Sequence, residues 1–307
     1  MSTIIEHIEN NPQETQRLVG LKYEQLQQLI QSAENLHNDK KSSLELNKVR
    51  IIAGGGGRKH KLSIPEQILL TLVYLRHLTT FQLLGIQFGV SESTANDTFN
   101  YWLPLFRELL PSSLLEQVKK NASDYETVKE VLTEYELIVD SYEQVRERPK
   151  DYNEQEKYYS GKKKNHTFKT QIITLPNGKD IVDVVAGLPG PKSDINVFRD
   201  NRFKFDKQQK FQGDLAYIGE NFIETPIKKP KNEELTITQK ESNKEFSSKR
   251  VFVEHRIRSL KIFRVVQDRF RLSPKKYEKV IMTICGLVRL RIGALILPTE
   301  ILPIFLI

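Results

Sequence analysis

Read for apolar and polar positions, the first fifty residues form two polar, amphipathic helices, with Leu18, Leu21, Leu26 and Ile30 as the apolar positions. The polar stretch Asn35 to Ser43 breaks that pattern. Gly54-Gly-Gly-Gly57 follows and reads as a linker, because a phosphate-cradling loop would need a Gly-Lys-Ser/Thr that does not come after it. Beyond Arg58-Lys-His-Lys61, Ser63-Ile-Pro-Glu66 has the form of a capping box and predicts a helix through Gln67 to Leu75. Thr79 to Phe88 makes a short helix, Gly89-Val-Ser91 a turn, and Glu92 to about Phe106 a second helix. That is a helix-turn-helix outline, although an ordinary helical hairpin fits it equally well. Phe81, Leu84, Phe88, Val90, Phe99 and Trp102 are core positions under both readings. The second helix opens with Ser91, Ser93, Thr94 and Asn96, short polar side chains suited to phosphates or base edges.

From about residue 130 the pattern changes to short β-prone runs at Glu136 to Asp140, His166 to Thr174 and Asp180 to Ala186. Pro176-Asn-Gly178 supplies a hairpin turn between the second and third. A helix at Ile195 to Asn201, a strand at Phe211 to Leu215 and a long amphipathic helix complete the series. This order implies a mixed α/β sheet with helices on its faces, and no internal repeat is apparent.

Composition narrows the class. The 307 residues are 38% hydrophobic and 28% charged, as in a soluble chain with a real core and room for about two domains. Disordered, collagenous and membrane-embedded classes are excluded. The single cysteine, Cys285, rules out a disulfide framework or a multi-cysteine zinc site and favours a reducing interior. The start is acidic and lacks signal-peptide order, and runs such as Ile68 to Leu75 fall short of the roughly 20 residues a bilayer span needs. The apolar tail, interrupted by Pro298, Glu300 and Pro303, reads as a buried or sticky terminus. A cytoplasmic protein with no membrane partner is expected. The net charge of +8 points to a polyanion, and it has a location. Residues 228 to 295 hold 18 Lys and Arg against 7 Asp and Glu.

Three acidic residues stand out by position. Asp140 ends the apolar run Leu137-Ile-Val139, which places it at or near the carboxyl end of a buried strand, and Asp214 sits similarly after Phe211-Gln-Gly213. Ligand sites of open α/β sheets gather at such strand ends. Glu254 lies in the helical stretch Val251 to Lys261, where Val253, Ile257 and Leu260 form the packing stripe. Arg250, Glu254 and Lys261 share an adjacent face of that helix. Singly, each carboxylate is an ordinary strand-end cap or surface charge. Together they repel one another unless a cation intervenes, and an oxygen-only donor set suits magnesium or manganese. Two such ions about 4 Å apart can carry phosphodiester displacement.

At these residues the chain resembles the DDE transposases of bacterial insertion sequences, specifically the insertion-sequence-five superfamily and its relatives with a Harbinger-type nuclease domain. The resemblance runs from about Leu18 to Leu295. It rests on ordered motifs: Lys61-Leu-Ser-Ile-Pro-Glu-Gln67, Phe88-Gly-Val-Ser-Glu-Ser-Thr-Ala-Asn96, Leu137-Ile-Val-Asp-Ser-Tyr-Glu143, Tyr159-Ser-Gly-Lys-Lys-Lys-Asn-His-Thr-Phe-Lys169, Gly213-Asp-Leu-Ala-Tyr217 and Val253-Glu-His-Arg-Ile-Arg258. It implies a ribonuclease-H-like mixed-sheet catalytic domain, α/β in class, preceded by an all-α helix-turn-helix region. The implied division is N-terminal helices over 1–53, a helix-turn-helix region over 54–118, a nuclease domain over 119–295 and an apolar tail over 296–307.

The implied catalytic triad, also the metal ligands, is Asp140, Asp214 and Glu254, with two Mg2+ or Mn2+ ions per site and Asp140 bridging them. Arg250 and Lys261 match the family's arginine four before and lysine seven after the glutamate. Ser247 stands where the family has tyrosine, and Ala216 where it usually has glycine. The implied reaction hydrolyses one strand at an element end and then joins the resulting 3′-hydroxyl to target DNA. Partners would be double-stranded DNA, both terminal inverted repeats and target, and a second copy, since two ends are joined. Lys162, Lys163, Lys164, His166 and Lys169 become candidate backbone contacts, alongside Arg250, Arg258 and Lys261. Asp183 and Asp194 read as structural or supporting carboxylates, and His255 as a helix-surface or packing residue. Two alternatives stay open: a domesticated or decayed DNA-binding relative, and a metal-dependent nuclease without strand transfer.

Overall fold

The computed structural model describes residues 4–46 and 60–297. The glycine run Gly54–Gly57, Arg58 and the tail from Pro298 onward lie outside the described residues. The chain divides after Leu110: residues up to that point, with Leu295–Leu297, make one unit, and Pro111–Ala294 the other.

In the first unit, α1 (Ile4–Asn10) and α2 (Thr15–Val19) are short, and α3 spans Tyr23–Leu46. The sequence pattern predicts two helices here and a break at Asn35 to Ser43. Instead α3 continues through that stretch. Polarity alone does not end a helix, and no proline or glycine falls inside it. The polar half is also tethered to the last helix of the unit, His37 Nδ1 lying 2.7 Å from the Tyr101 hydroxyl and Lys40 2.5 Å from Glu108.

α4 (Ile64–His77) begins as expected. Ser63 accepts the Glu66 N–H, and Glu66 accepts the Ser63 N–H in return. Ile68 through Leu75 are all buried, so α4 is the central helix of the unit. α5 (Phe81–Gln87) and α6 (Glu92–Leu109) make the helix-turn-helix, with Gly89 supplying the left-handed turn at φ +66°. A Cβ on Gly85 would stand 2.8 Å from the Val90 carbonyl, so the close approach of α5 to the turn needs glycine there. Phe99 and Trp102 are fully buried, and the Trp102 indole donates to Gln67 at 3.0 Å. Phe81, Phe88 and Val90 are only half-buried.

The second unit opens with α7 (Leu114–Val118) and α8 (Ala122–Leu132) and then builds a sheet. Its strands are β1 (Leu137–Val145), β2 (Tyr159–Ser160), β3 (Asn165–Thr174), β4 (Ile181–Pro189), β5 (Phe211–Gln212) and β6 (Ile223–Glu224). β1 and β4 flank β3 as antiparallel neighbours, whereas β5 runs parallel to β1, and β6 to β5. That is the ribonuclease-H-like order. The β3–β4 hairpin turns on Asn177 and Gly178, both at positive φ, as Pro176-Asn-Gly178 had indicated. α9 (Tyr152–Tyr158) joins β1 to β2, and α10 (Asp194–Asn201) carries the crossover from β4 to β5. α11 (Ile237–Lys261), α12 (Arg264–Gln267) and α13 (Tyr277–Arg291) follow.

Two expectations about the strands need correction. β1 does not stop at Asp140, which is the fourth of its nine residues. Its polar residues Ser141, Glu143 and Gln144 stay in the ladder because β3 is long enough to pair with β1 out to Val145↔Thr167. The strand at Phe211 is also shorter than expected, ending at Gln212 and leaving Asp214 in a turn. The α10 span and the Val253, Ile257 and Leu260 stripe agree with expectation.

Candidate active site

Asp140 lies mid-strand with its side chain 17% exposed. Its Oδ1 accepts the Ser141 N–H at 2.8 Å, and an Arg250 Nη2 on α11 lies 3.9 Å from Oδ2. Burial pushes the Asp140 carboxyl up to about 6. The Asp214 and Glu254 charges push the same way, while the Ser141 N–H and the Arg250 guanidinium work against them. Asp214 caps the one-turn helix Leu215–Tyr217, its Oδ1 accepting the Ala216 N–H at 2.9 Å. Glu254 is exposed on α11, beside the stripe that packs the helix down.

A cleft of about 280 Å³ is lined by Asp140, Tyr142, Glu254, Arg258 and Lys261. A smaller one of about 170 Å³, lined by Ser141, Glu143, Lys162, Lys163 and Asp194 among others, shares Lys261 with it. The Lys261 ammonium lies 5.4 Å from the centre of the Tyr142 ring. Burial and the nearby Lys163 lower its pKa, while Asp140 raises it. Ammonium groups gathered this way are poised for an anion.

The three carboxylates thus come from β1, the turn after β5, and α11, and the charges of the other two are felt at Asp140. The chemistry of the set, oxygen donors only with the buried one repelled by the other two, fits a hard divalent cation. Among the described residues, however, no three Asp, Glu, His or Cys side chains are drawn close enough to hold a metal ion as they stand. Asp214 is half-buried and Glu254 exposed, so both carboxylates are open to a cation from solvent.

The candidate DNA contacts fall in three places. On α6, Ser91 caps the helix by accepting the Thr94 N–H at 3.1 Å, Ser93 and Thr94 are exposed, and Asn96 accepts from Asn100 at 2.7 Å. Lys162, Lys163 and Lys164 are exposed on the turn between β2 and β3. His166 is half-buried beside the Tyr159 ring, and burial together with Arg148 and Arg146 lowers its pKa. Arg250, Arg258 and Lys261 line one side of α11.

Lys169 departs from this group. Only 6% exposed, it lines the smaller cleft but bonds Asp194 at 2.7 Å and the Lys192 carbonyl, so its ammonium is already engaged within the fold. The supporting carboxylates are accounted for in the same way, Asp194 by Lys169 and Asp183 by Lys204 at 2.8 Å. His255 is exposed on α11 with its ring near Phe252.

Sequence reasoning passed over a polar layer on the other face of β1. There the Tyr217 hydroxyl lies 3.1 Å from Ser141 Oγ and accepts from the Gln171 amide at 3.0 Å. Burial, with Asp194, Asp140 and Asp214 nearby, raises the Tyr217 pKa far above the ordinary phenol value, so it remains a hydroxyl. A signal was present in Gly213-Asp-Leu-Ala-Tyr217, but the partners are 76 and 46 positions away along the chain.

This site sits in a chain with recognisable kin. The family model described as DDE superfamily endonuclease matches residues 139–289. A second, described as the helix-turn-helix of DDE superfamily endonuclease, matches residues 60–112. A Microchaete diplosiphon protein, "Probable transposase for insertion sequence element IS702", is 33% identical over 225 residues, 72% of this chain and 78% of that protein. The chain belongs to the DDE transposases of insertion sequences. A solved structure of a pre-cleavage Mos1 transpososome aligns over 80% of this chain and 85% of that one, at 9% identity and a TM-score of 0.19. No helix among the described residues is long and apolar enough to cross a membrane.

Proposed function

We propose that the protein cleaves the ends of an insertion sequence and joins the freed 3′-hydroxyl to target DNA, using Asp140, Asp214 and Glu254 with two divalent ions. The observation that carries this reading is Asp140 itself: a buried carboxylate, pushed up to about 6, within electrostatic reach of two further carboxylates and opening on a cleft rimmed by Arg258 and Lys261. Asp140, Asp214 and Glu254 would together hold the ions. Bound there, magnesium or manganese supplies an activated water and neutralises the leaving oxygen during phosphodiester displacement. Because Asp140 resists ionising alone, cation binding and its deprotonation reinforce each other.

The remaining residues position DNA. Arg250, Arg258 and Lys261 on α11, with Lys162 and Lys163 in the adjoining cleft and Lys164 and His166 next to them in the chain, hold backbone phosphates near the reacting one. Ser91, Ser93, Thr94 and Asn96, in the helix-turn-helix region over 54–118, meet the terminal repeat. The nuclease domain over 119–295 does the chemistry, and a homodimer or larger assembly brings two ends together. The protein then works in the cytoplasm, associated with the nucleoid.

The test is strand cleavage of an element-end duplex, followed by joining of the labelled 3′ end to a plasmid. Cleavage is expected only with Mg2+ or Mn2+, and Asp140→Asn should slow it by on the order of a thousandfold. An Asn variant that cuts like the parent removes Asp140 from this role. Cleavage without joining would reduce the reading to a nuclease.

A further inference from the structure

Asp214 reaches the site beyond the end of the ladder that joins its strand to β1. The parallel ladder between β1 and β5 has only two residue pairs, Leu137↔Phe211 and Ile138↔Gln212, and both precede Asp140. Past Gln212 that ladder stops. The bond from the Ala216 N–H to Asp214 closes the turn on itself and says nothing about the neighbouring strand. The Gly213 N–H bonds the Glu224 carbonyl on β6 at 3.0 Å, so the backbone before Asp214 is held from that side, but neither bond ties the turn to β1.

Tyr217, the last residue of that turn, is fully buried and does reach across. Its hydroxyl contacts Ser141, the residue after Asp140 on β1, at 3.1 Å and accepts from Gln171 on β3 at 3.0 Å. Gln171 is itself buried and also donates to the Asp194 carbonyl at 3.0 Å, so the anchor is held on its far side. At the near end, a Cβ on Gly213 would stand 2.7 Å from the Tyr217 ring. The ring therefore packs on the backbone immediately before Asp214, while its hydroxyl is fixed to the strand carrying Asp140.

We infer that Tyr217 is a positioning residue that sets the separation of Asp214 from Asp140 through its hydroxyl. The inference rests on the reading of these two aspartates as metal ligands. A ring present only to fill the core would serve as well without its oxygen, and that is the difference to measure. Partners that hold metal-binding side chains in place commonly change metal affinity by about tenfold or more when removed.

The experiment is calorimetric titration of the full chain with Mn2+, without DNA. Tyr217→Phe keeps the ring and removes the hydroxyl. It should weaken Mn2+ binding about tenfold, leaving the metal-free thermal midpoint and the DNA affinity in chelator essentially unchanged. Ser141→Ala, which removes the contact to β1 and leaves the Gln171 bond, should also weaken binding, by no more than Tyr217→Phe does, and the double variant should be no worse than Tyr217→Phe alone. Parent-like Mn2+ affinity in Tyr217→Phe, or additive losses in the double variant, overturns the tie. Asp140→Asn separates the two layers of the argument. If it binds Mn2+ like the parent, the ligand assignment fails and takes the tie with it. If it loses binding while Tyr217→Phe does not, the tie alone fails.

Discussion

A carboxyl that titrates near 6 in the fold and near 3.9 in an unfolded chain opposes folding at neutral pH, and Asp140 is such a group. Protonated, it is no burden, so its contribution is complete below about pH 4 and is lost as the pH rises through 6. Above that, holding Asp140 charged costs on the order of 3 kcal/mol. Asp140→Asn, inactive by the reading above, should therefore be the more stable protein in metal-free buffer at pH 8. Its advantage in thermal midpoint should shrink between pH 6 and 4 and vanish below. Equal midpoints at pH 8 would mean that the carboxylate is better solvated than its surroundings indicate. The type and position of Asp140 were legible in the chain, as the polar residue closing Leu137-Ile-Val139. Its shifted titration was not, because burial and the Arg250, Asp214 and Glu254 charges are set by distant residues.

Among elements, α13 is tied to the sheet by charge as well as by its apolar face. Arg289, 0% exposed, donates to both oxygens of Asp180 at 2.7 and 2.8 Å, to the Pro111 carbonyl at 3.0 Å and to Gln117 at 2.9 Å. Asp180 also accepts the Ile181 N–H at 2.7 Å where β4 begins. Removing one partner of such a pair leaves the other charge buried and uncompensated, at a cost of about 3–5 kcal/mol. Arg289→Met should lose stability on that scale in urea unfolding followed by far-UV circular dichroism. Trp102 is the only tryptophan and lies in the other unit, so its fluorescence would report a different transition. A loss below about 1 kcal/mol, as for an exposed pair, would show that water reaches Asp180. Nothing local marks Arg289: at the end of Ile281 to Leu290 it looks like a basic residue favouring a helix C-terminus. The helix α3 teaches the same lesson from the other side, since its polar half persists through contacts with α6 that no local pattern contains.

Across the whole molecule the +8 is unevenly spread, with a surplus of 11 in residues 228 to 295 and a small deficit elsewhere. DNA held by such charge releases counterions, so its affinity should fall steeply with salt. Replacing Lys162, Lys163 and Lys164 together by Gln should reduce the slope of log affinity against log salt by up to about 3. Binding measured from low to moderate salt would show this directly. An unchanged slope would place the DNA away from the β2–β3 turn. Lys169 belongs outside that test, because its ammonium is already spent on Asp194 and the Lys192 carbonyl.

By itself the sequence determined what depends on near neighbours. The Ser63–Glu66 cap, the α5–α6 turn, the Pro176-Asn-Gly178 hairpin and the apolar stripe of α11 are each written within a few residues, and each has the expected form. The three acidic residues and their order were equally readable. Only the tertiary structure decided how far β1 extends past Asp140, because strand length there is set by the partner strand rather than by local polarity. Only the tertiary structure turned Lys169 inward and brought the Tyr217 hydroxyl to Ser141. Hydrogen bonds between groups 25 to 76 residues apart depend on how strands and turns are stacked, and a chain read one window at a time holds no record of that stacking.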